Sequence, residues 1–434
     1  MSWRELVSTA LLGTERRDTI AAAPLDIARQ TPEESLLARA ATTAVYARAG
    51  ARPQTAATPL PAASAETLPR CSPGAALLLS TILEGDFGGV LDEWLELARA
   101  RGVRVPEELL PALFAHAQGR QEAVLAVAGE RGRWLAVVDD SYAWAAAGDD
   151  VWETGTLETR RTWLREHRRE HPETARDALA ETWHSEDPRS RSLLLAELAT
   201  NLSSADEELL EQALDDRRQE VRTTAAYLLS RLPESAYARR MANRACALVR
   251  IGRRIEAALP EALDDAAVRD IVLTKPPKGT GERAWWLQQI LGATPLEAWD
   301  GEPEKLVCLK VSDNLAATVH AGWTEAAARQ RNAPWATALV RATWEPKLVP
   351  AAPPGLVERQ IAEALDDPRA NPLLHELRRP YGLELSRAIV RRGRLDRSIA
   401  LALDPRVVDD LPADAPPGVV QLLAFRHDLH KELA

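Results

Sequence analysis

His167-Arg168-Arg169-Glu170-His171 is the stretch of this chain whose residue types and spacing most suggest chemistry. It reads H-x-x-E-H, the pattern in which two imidazoles on one helix face hold zinc and a glutamate works on bound water. Its surroundings argue against that. Arg168 and Arg169 put positive charge beside a would-be dication, and Pro172 follows directly. His171 is therefore expected to leave the helix before it can face His167. The plainer reading is a charged, solvated helix end. His427-Asp428-Leu429-His430 is a second ligand-like pair, read more simply as two exposed polar positions on the last helix. No C-x-x-C occurs, so a structural zinc site of the usual kind is not expected. The phosphate-loop pattern G-x-x-x-x-G-K-[ST] and the nucleophile elbow G-x-S-x-G are absent. Gly279-Thr280-Gly281 lacks the preceding strand and third glycine of a dinucleotide fingerprint. These readings point to a non-catalytic protein with no metal and no cofactor.

Two basic clusters could meet phosphate. Seven arginines fall within 231–254 against one acid, Glu234, and Arg240 and Arg244 are among them. Seven more fall within 378–397 against Glu384 and Asp396, including Arg391 and Arg392. On one concave face they could track a nucleic-acid backbone. Solvated faces and internal ion pairs are the plainer explanation, and few aromatics interleave them. Trp285 and Trp286 are adjacent, so they diverge by about 100° around a helix. Two different elements must cover them, or one is left as an anchor for a partner.

The elements that would position these residues are helical nearly throughout. Thr31-Pro32-Glu33-Glu34 offers an N-cap, a proline at the first helical position and a capping-box glutamate. Ser204 to Glu207 and Thr294 to Glu297 repeat that start chemistry, and Ser72-Pro73 opens another helix. Stops are expected at Gly50, Gly85, Gly102, Gly119, Gly252 and Gly292. The best strand candidates, 306–311 and 270–273, are short. Residues 51–70 are rich in Pro, Ala and Thr and read as a linker. The expected organisation is an N-terminal helical region over 1–150, HEAT-like repeats over 151–272 and a C-terminal helical region over 273–434.

The middle region is the most legible. Val221, Ala225, Leu228, Leu229 and Leu232 share one helical face, and Pro233 ends it. The preceding helix presents Leu209, Leu210, Ala213 and Leu214, joined through Asp215-Asp216. Residues 173–184 and 187–202 form a similar pair. Two such short helices cannot bury their stripes alone, whereas stacked pairs can. Ala-Leu-Asp-Asp recurs at 213–216, 262–265 and 364–367, with starts 49 and 102 residues apart. The expected fold is an all-α, HEAT-like α-solenoid flanked by helical regions.

Composition bounds the function. The chain has 434 residues, 46% apolar and 27% charged, with a formal charge of -10. That charge argues against tight, non-specific phosphate binding by the whole surface. Lys and Arg total 54, yet only six are lysine, a bias that GC-rich codons explain. Three distant cysteines suit a reducing cytoplasm, and the opening segment lacks the features of a secretory leader. No run is apolar enough to span a membrane.

Five blocks carry a resemblance. They are Trp3 to Arg17, Gly129 to Leu135, Asp206 to Arg222, Gly281 to Leu287, and Phe425-Arg426. Together, in this order, they resemble the bacterial domain-of-unknown-function 5691 family. The resemblance implies an uncharacterised HEAT/armadillo-like helical protein. Its relatives are often encoded near MoxR-type AAA+ ATPases, von Willebrand A-domain proteins and SWIM zinc-finger proteins, and it supplies no catalytic residues. Where relatives tend to have Asp-Pro after the helix near 170, this chain has His171-Pro172, which makes the histidine incidental.

The expected function is a cytoplasmic scaffold or adaptor for a protein partner, with a MoxR-type AAA+ ATPase or a von Willebrand A-domain protein as candidates. Contact residues would be Gly13, Thr14, Glu15, Arg16 and Arg17, the turn arginines Arg217, Arg218 and Arg222, and Trp285 or Trp286. The alternative is a nucleic-acid-binding HEAT-like protein such as an alkylated-base DNA glycosylase, using Arg240, Arg244, Arg391 and Arg392. A zinc protease ranks last.

Overall fold

The structure, a computed structural model, describes residues 3–14, 31–49, 60, 62–145, 151–271, 275–393 and 395–433. It is all-α, as the periodicity predicts. The chain divides into two compact units, Met1–Ala62 and Ala63–Ala434, and the division falls inside the stretch read as a linker. No described helix is long and apolar enough to cross a membrane.

In the first unit, the helix Trp3–Leu12 packs against Pro32–Ala49. Thr31 begins the second helix as expected, its hydroxyl accepting from the Glu34 N–H at 3.2 Å. Gly13 follows the first helix at φ +87°, a conformation that glycine adopts without a Cβ penalty, and its N–H bonds the Thr9 carbonyl at 3.0 Å.

In the second unit the first expected helix start is present. Ser72 caps Pro73–Leu83, accepting from the Ala75 N–H at 3.0 Å. Leu91–Arg101 ends at Gly102 in the left-handed conformation. Downstream, Leu157–Glu170 packs on both Pro172–Thr182 and Pro188–Glu197. The last of these packs on Gln219–Leu229, which pairs with Glu207–Ala213. Leu209, Leu210, Ala213, Val221, Ala225, Leu228 and Leu229 are all buried, so the two predicted stripes meet. Farther on, Glu282–Ala293 lies along Ala316–Gln330. A Cβ on Gly322 would stand 2.4 Å from the Leu291 Cβ, so only glycine permits that approach.

Four local expectations need correction. Ser203, not Ser204, forms the capping box with Asp206. Thr294 closes the preceding helix instead of opening one, because its hydroxyl donates back to the Ile290 carbonyl at 2.8 Å. Gly252 does not stop a helix. Ala236–Leu248 ends earlier and a hairpin follows, Val249–Ile251 pairing antiparallel with Ile255–Ala257 around Gly252. The proposed strand 306–311 begins inside a helix, Leu306 and Val307 closing Pro303–Val307. Of 270–273, the described Asp270 and Ile271 end the helix Asp265–Ile271, while Val272 and Leu273 lie outside the described residues. Only Val311 keeps a strand-like contact, a single bridge to Ile255.

The deepest correction concerns Arg168. Expected at a solvated helix end, it is 1% exposed. Its Nη1 and Nη2 pair with Asp206 at 2.9 and 2.7 Å. The same guanidinium donates to the carbonyls of Thr200, Pro172 and Asn201 at 2.9, 2.9 and 2.8 Å. The Thr200 and Asn201 carbonyls follow the helix Pro188–Glu197 and lack intrahelical partners, whereas Pro172 opens its helix and its carbonyl takes the guanidinium as a further donor. Arg168→Ala is expected to destabilise the second unit by about 3–5 kcal/mol, because Asp206 would stay buried without its cation. Arg168→Lys should recover little, since three donors cannot serve those acceptors. Urea midpoints of the two variants against the parent chain check both.

Candidate functional site

Gly13 and Thr14 sit at the end of the first helix, and Glu15, Arg16 and Arg17 lie outside the described residues. The Thr14 hydroxyl donates to the Glu33 carboxylate, which holds that carboxyl below the usual range. The core of this helix pair is small: Leu6, Thr9 and Leu36. A separate stripe, Trp3, Val7 and Leu11, is 56%, 42% and 81% exposed. Spacing of four places these three side chains along one side of the helix. Leu12, Leu37, Val45 and Tyr46 are exposed too.

The turn arginines stand apart from this helix in sequence and in their own unit. Arg217 and Arg218 are exposed, and Arg222 donates to the Asp216 carbonyl at 2.7 Å. The neighbouring acids are taken by other residues, Asp215 by Arg269 and Asp216 by Arg191 at 2.8 Å. Trp285 and Trp286 are each partly buried on Glu282–Ala293, so neither projects fully from the surface.

The arginines of the basic clusters are largely engaged internally. Arg240 and Arg244 converge on Asp270, at 2.8 and 2.7 Å, and Arg240 also reaches Glu211. Burial pushes the Asp270 carboxyl up, but the hydrogen bonds and charges of these arginines outweigh it and hold it below the usual range. In the second cluster Arg391 bonds the Arg387 carbonyl, and Arg392 engages Asp366 and the Leu365 carbonyl. Arg394 lies outside the described residues.

The H-x-x-E-H histidines separate as predicted. His171 is the C-cap of Leu157–Glu170, while the His167 ring stacks on Trp163 at 3.9 Å. The Nδ1–H of His167 donates to the Trp163 carbonyl at 2.9 Å. Among the described residues no group of three or more His, Cys, Asp or Glu is placed to hold a metal ion.

The second histidine pair departs from expectation. His430 is not a free polar position. Its Nε2–H meets Glu93 Oε1 at 2.7 Å, and Arg426 grips the same carboxylate at 2.6 and 2.8 Å. Arg426 is fully buried and also donates to the carbonyls of Ala400 and Leu403 at 2.6 and 2.7 Å. This joins the last helix, Pro417–Leu433, to Leu91–Arg101, which lies more than 300 residues earlier. Ser72 bonds Glu432 at 2.6 Å, and Phe87 stacks on Phe425 at 4.1 Å along the same seam. Beside it lies a cleft of 650 Å³, faced by Glu93, Glu96, Leu97 and Ala100 on one side. Sequence reasoning missed Glu93, Arg426, Asp206 and Arg168. The available signal was position: Arg168 follows Leu164, and Arg426 follows Leu422 and Leu423, at core spacing.

Fold and sites together define an all-α protein in which buried charge clusters join helices to one another. The chain matches the family model described as Family of unknown function (DUF5691) over residues 5–433, and it belongs to that family. No curated protein and no solved structure matches it.

Burial pushes the Glu93 carboxyl up, yet the hydrogen bonds from His430 and Arg426 and their charge hold it below the usual range. A carboxyl depressed by folding contributes stability above its unfolded value, near ~4.3, and loses it as pH falls through the folded value. Glu93→Gln is therefore expected to lower Tm at pH 7 and to shrink the further loss of Tm below about pH 4. Thermal melts of both proteins from pH 7 to pH 3 check this.

Proposed function

We propose that the protein is a non-catalytic, HEAT/armadillo-like adaptor of the bacterial cytoplasm. Its N-terminal helix pair docks a protein partner, and a MoxR-type AAA+ ATPase or a von Willebrand A-domain protein is the partner proposed. The observation that carries this is the stripe of Trp3, Val7 and Leu11, exposed at 56%, 42% and 81% on a ten-residue helix. Exposed apolar surface gains roughly 25 cal/mol per Å² when it leaves water. A contiguous stripe, unlike scattered apolar residues, marks a contact surface. The spacing suits a helix laid into an apolar groove, where residues one turn apart act as anchors. Gly13, Thr14 and the segment up to Arg17 continue directly from that stripe and extend the contact. Arg217, Arg218, Trp285 and Trp286 belong to the proposal as secondary contacts. Support also comes from the charges, since Arg240, Arg244 and Arg392 already have acidic partners.

The test is parallel affinity purification of the full chain and a Val7→Asp/Leu11→Asp variant from the native host. The parent should retain one of the two proposed partner classes in near-stoichiometric amount, and the variant should lose it at least tenfold. Equal retention by both would sink the assignment of the surface. Recovery of DNA with no protein partner would sink the adaptor reading and favour nucleic-acid binding.

A further inference from the structure

The cleft beside the seam offers a contact surface separate from the N-terminal helix pair. One wall is a single face of Leu91–Arg101, where Glu93, Glu96, Leu97 and Ala100 follow helical spacing. Buried Val349 and Ala352 supply apolar lining, and Glu358 and Glu376 line the cleft from two further helices. Its 650 Å³ falls within the ~300–1,000 Å³ typical of ligand-holding clefts.

The rim charges are unevenly satisfied. Glu93 is saturated by Arg426 and His430 at the bottom of the cleft. Glu96 has one ionic partner among the described residues, Arg378, 85% exposed and 3.3 Å away. A bridge that open is worth about 0–1 kcal/mol, so an incoming cation can displace it. Glu358 accepts the Gly382 N–H at 2.8 Å and has no cationic partner among the described residues. Glu376 is exposed, and no described side chain pairs with it. Arg379, the other arginine of the rim, is exposed and has no carboxylate partner among the described residues.

Three carboxylates from three separate elements thus surround an apolar floor, and two arginines, Arg378 and Arg379, stand at the same rim. We infer that this cleft binds an extended peptide segment of a partner protein, with an apolar residue on the Leu97–Val349–Ala352 floor and flanking Lys or Arg side chains at Glu96, Glu358 and Glu376. The apolar floor distinguishes such a segment from a simple polyamine, which has no side chain to bury there. Arg378 occupies part of the site in the free protein and yields it on binding.

The inference does not rest on the N-terminal docking surface, and one titration separates the two. Fluorescence anisotropy would follow the full chain against a labelled pentapeptide with a central leucine flanked by arginines, and against its glutamate-flanked counterpart. The arginine peptide should bind saturably and weaken at least tenfold in the Glu96→Gln/Glu376→Gln variant. It should bind severalfold tighter to Arg378→Ala, which removes the competing cation. Binding should also weaken between 50 and 300 mM salt, as screening requires. The Val7→Asp/Leu11→Asp variant should bind the peptide like the parent chain. Both carboxylate positions tested are exposed, and matching melting curves would show that the variants fold. Equal affinity for the two peptides, unchanged affinity in the double glutamine variant, equal displacement by spermidine, or no saturable binding would each overturn the inference.

Discussion

A guanidinium buried among helix ends is the interaction on which the 63–434 unit depends. Short helices leave a large share of their backbone carbonyls without intrahelical partners, because the last four of any helix are unpaired. Removing such carbonyls from water without a donor is costly. Arg168 and Arg426 solve this in the same way. Each is buried, each pairs with one carboxylate, Asp206 or Glu93, and each sends further N–H groups to the carbonyls of neighbouring chain ends. Arginine suits this task because its planar fork offers five donors in fixed directions and never loses its charge. The excess of arginine over lysine, which codon bias alone could produce, thus has a physical use in the folded chain.

The second of these arginines also determines how the chain is closed. Glu93 is contributed by one of the first helices of the unit and Arg426 by its last, so the pair ties the two ends of the unit together. The contact is flanked by the Phe87–Phe425 stack and by the Ser72–Glu432 hydrogen bond, which places apolar and polar contacts along one seam. Closing so long a loop costs entropy, although the cost rises only slowly with length. A charged pair with its remaining donors satisfied gives the seam a specific register that apolar packing alone would leave looser.

The sequence was most readable where local chemistry and burial agree. The Thr31 and Ser72 caps, the stop at Gly102, and the stripes of Glu207–Ala213 and Gln219–Leu229 all follow from rules acting within a few residues. Reading failed where a distant partner decides. Asp206 looks like a helix-start acid and is one, but it also neutralises Arg168 from 38 positions away. The hairpin at 249–257 was missed because three-residue strands are too short to display alternation, and its stabilising bridge comes from Val311. Nor can a stripe such as Trp3-Val7-Leu11 announce from sequence whether another element covers it.

These facts bear on what the molecule does. Here the strongest acid–base clusters are Arg168 with Asp206, Asp270 with Arg240 and Arg244, and Glu93 with Arg426 and His430. All three are internally paired, and Arg168 and Arg426 also bond the carbonyls of helix ends. Their pairing raises the cost of moving any member into a reaction, because a buried charge left without its counter-ion is penalised heavily. What stays available is of a different kind: an apolar stripe on a helix, and a cleft whose rim carboxylates are only loosely countered. Both features reward association: apolar surface gains by leaving water, and a loosely countered carboxylate gains by meeting a cation.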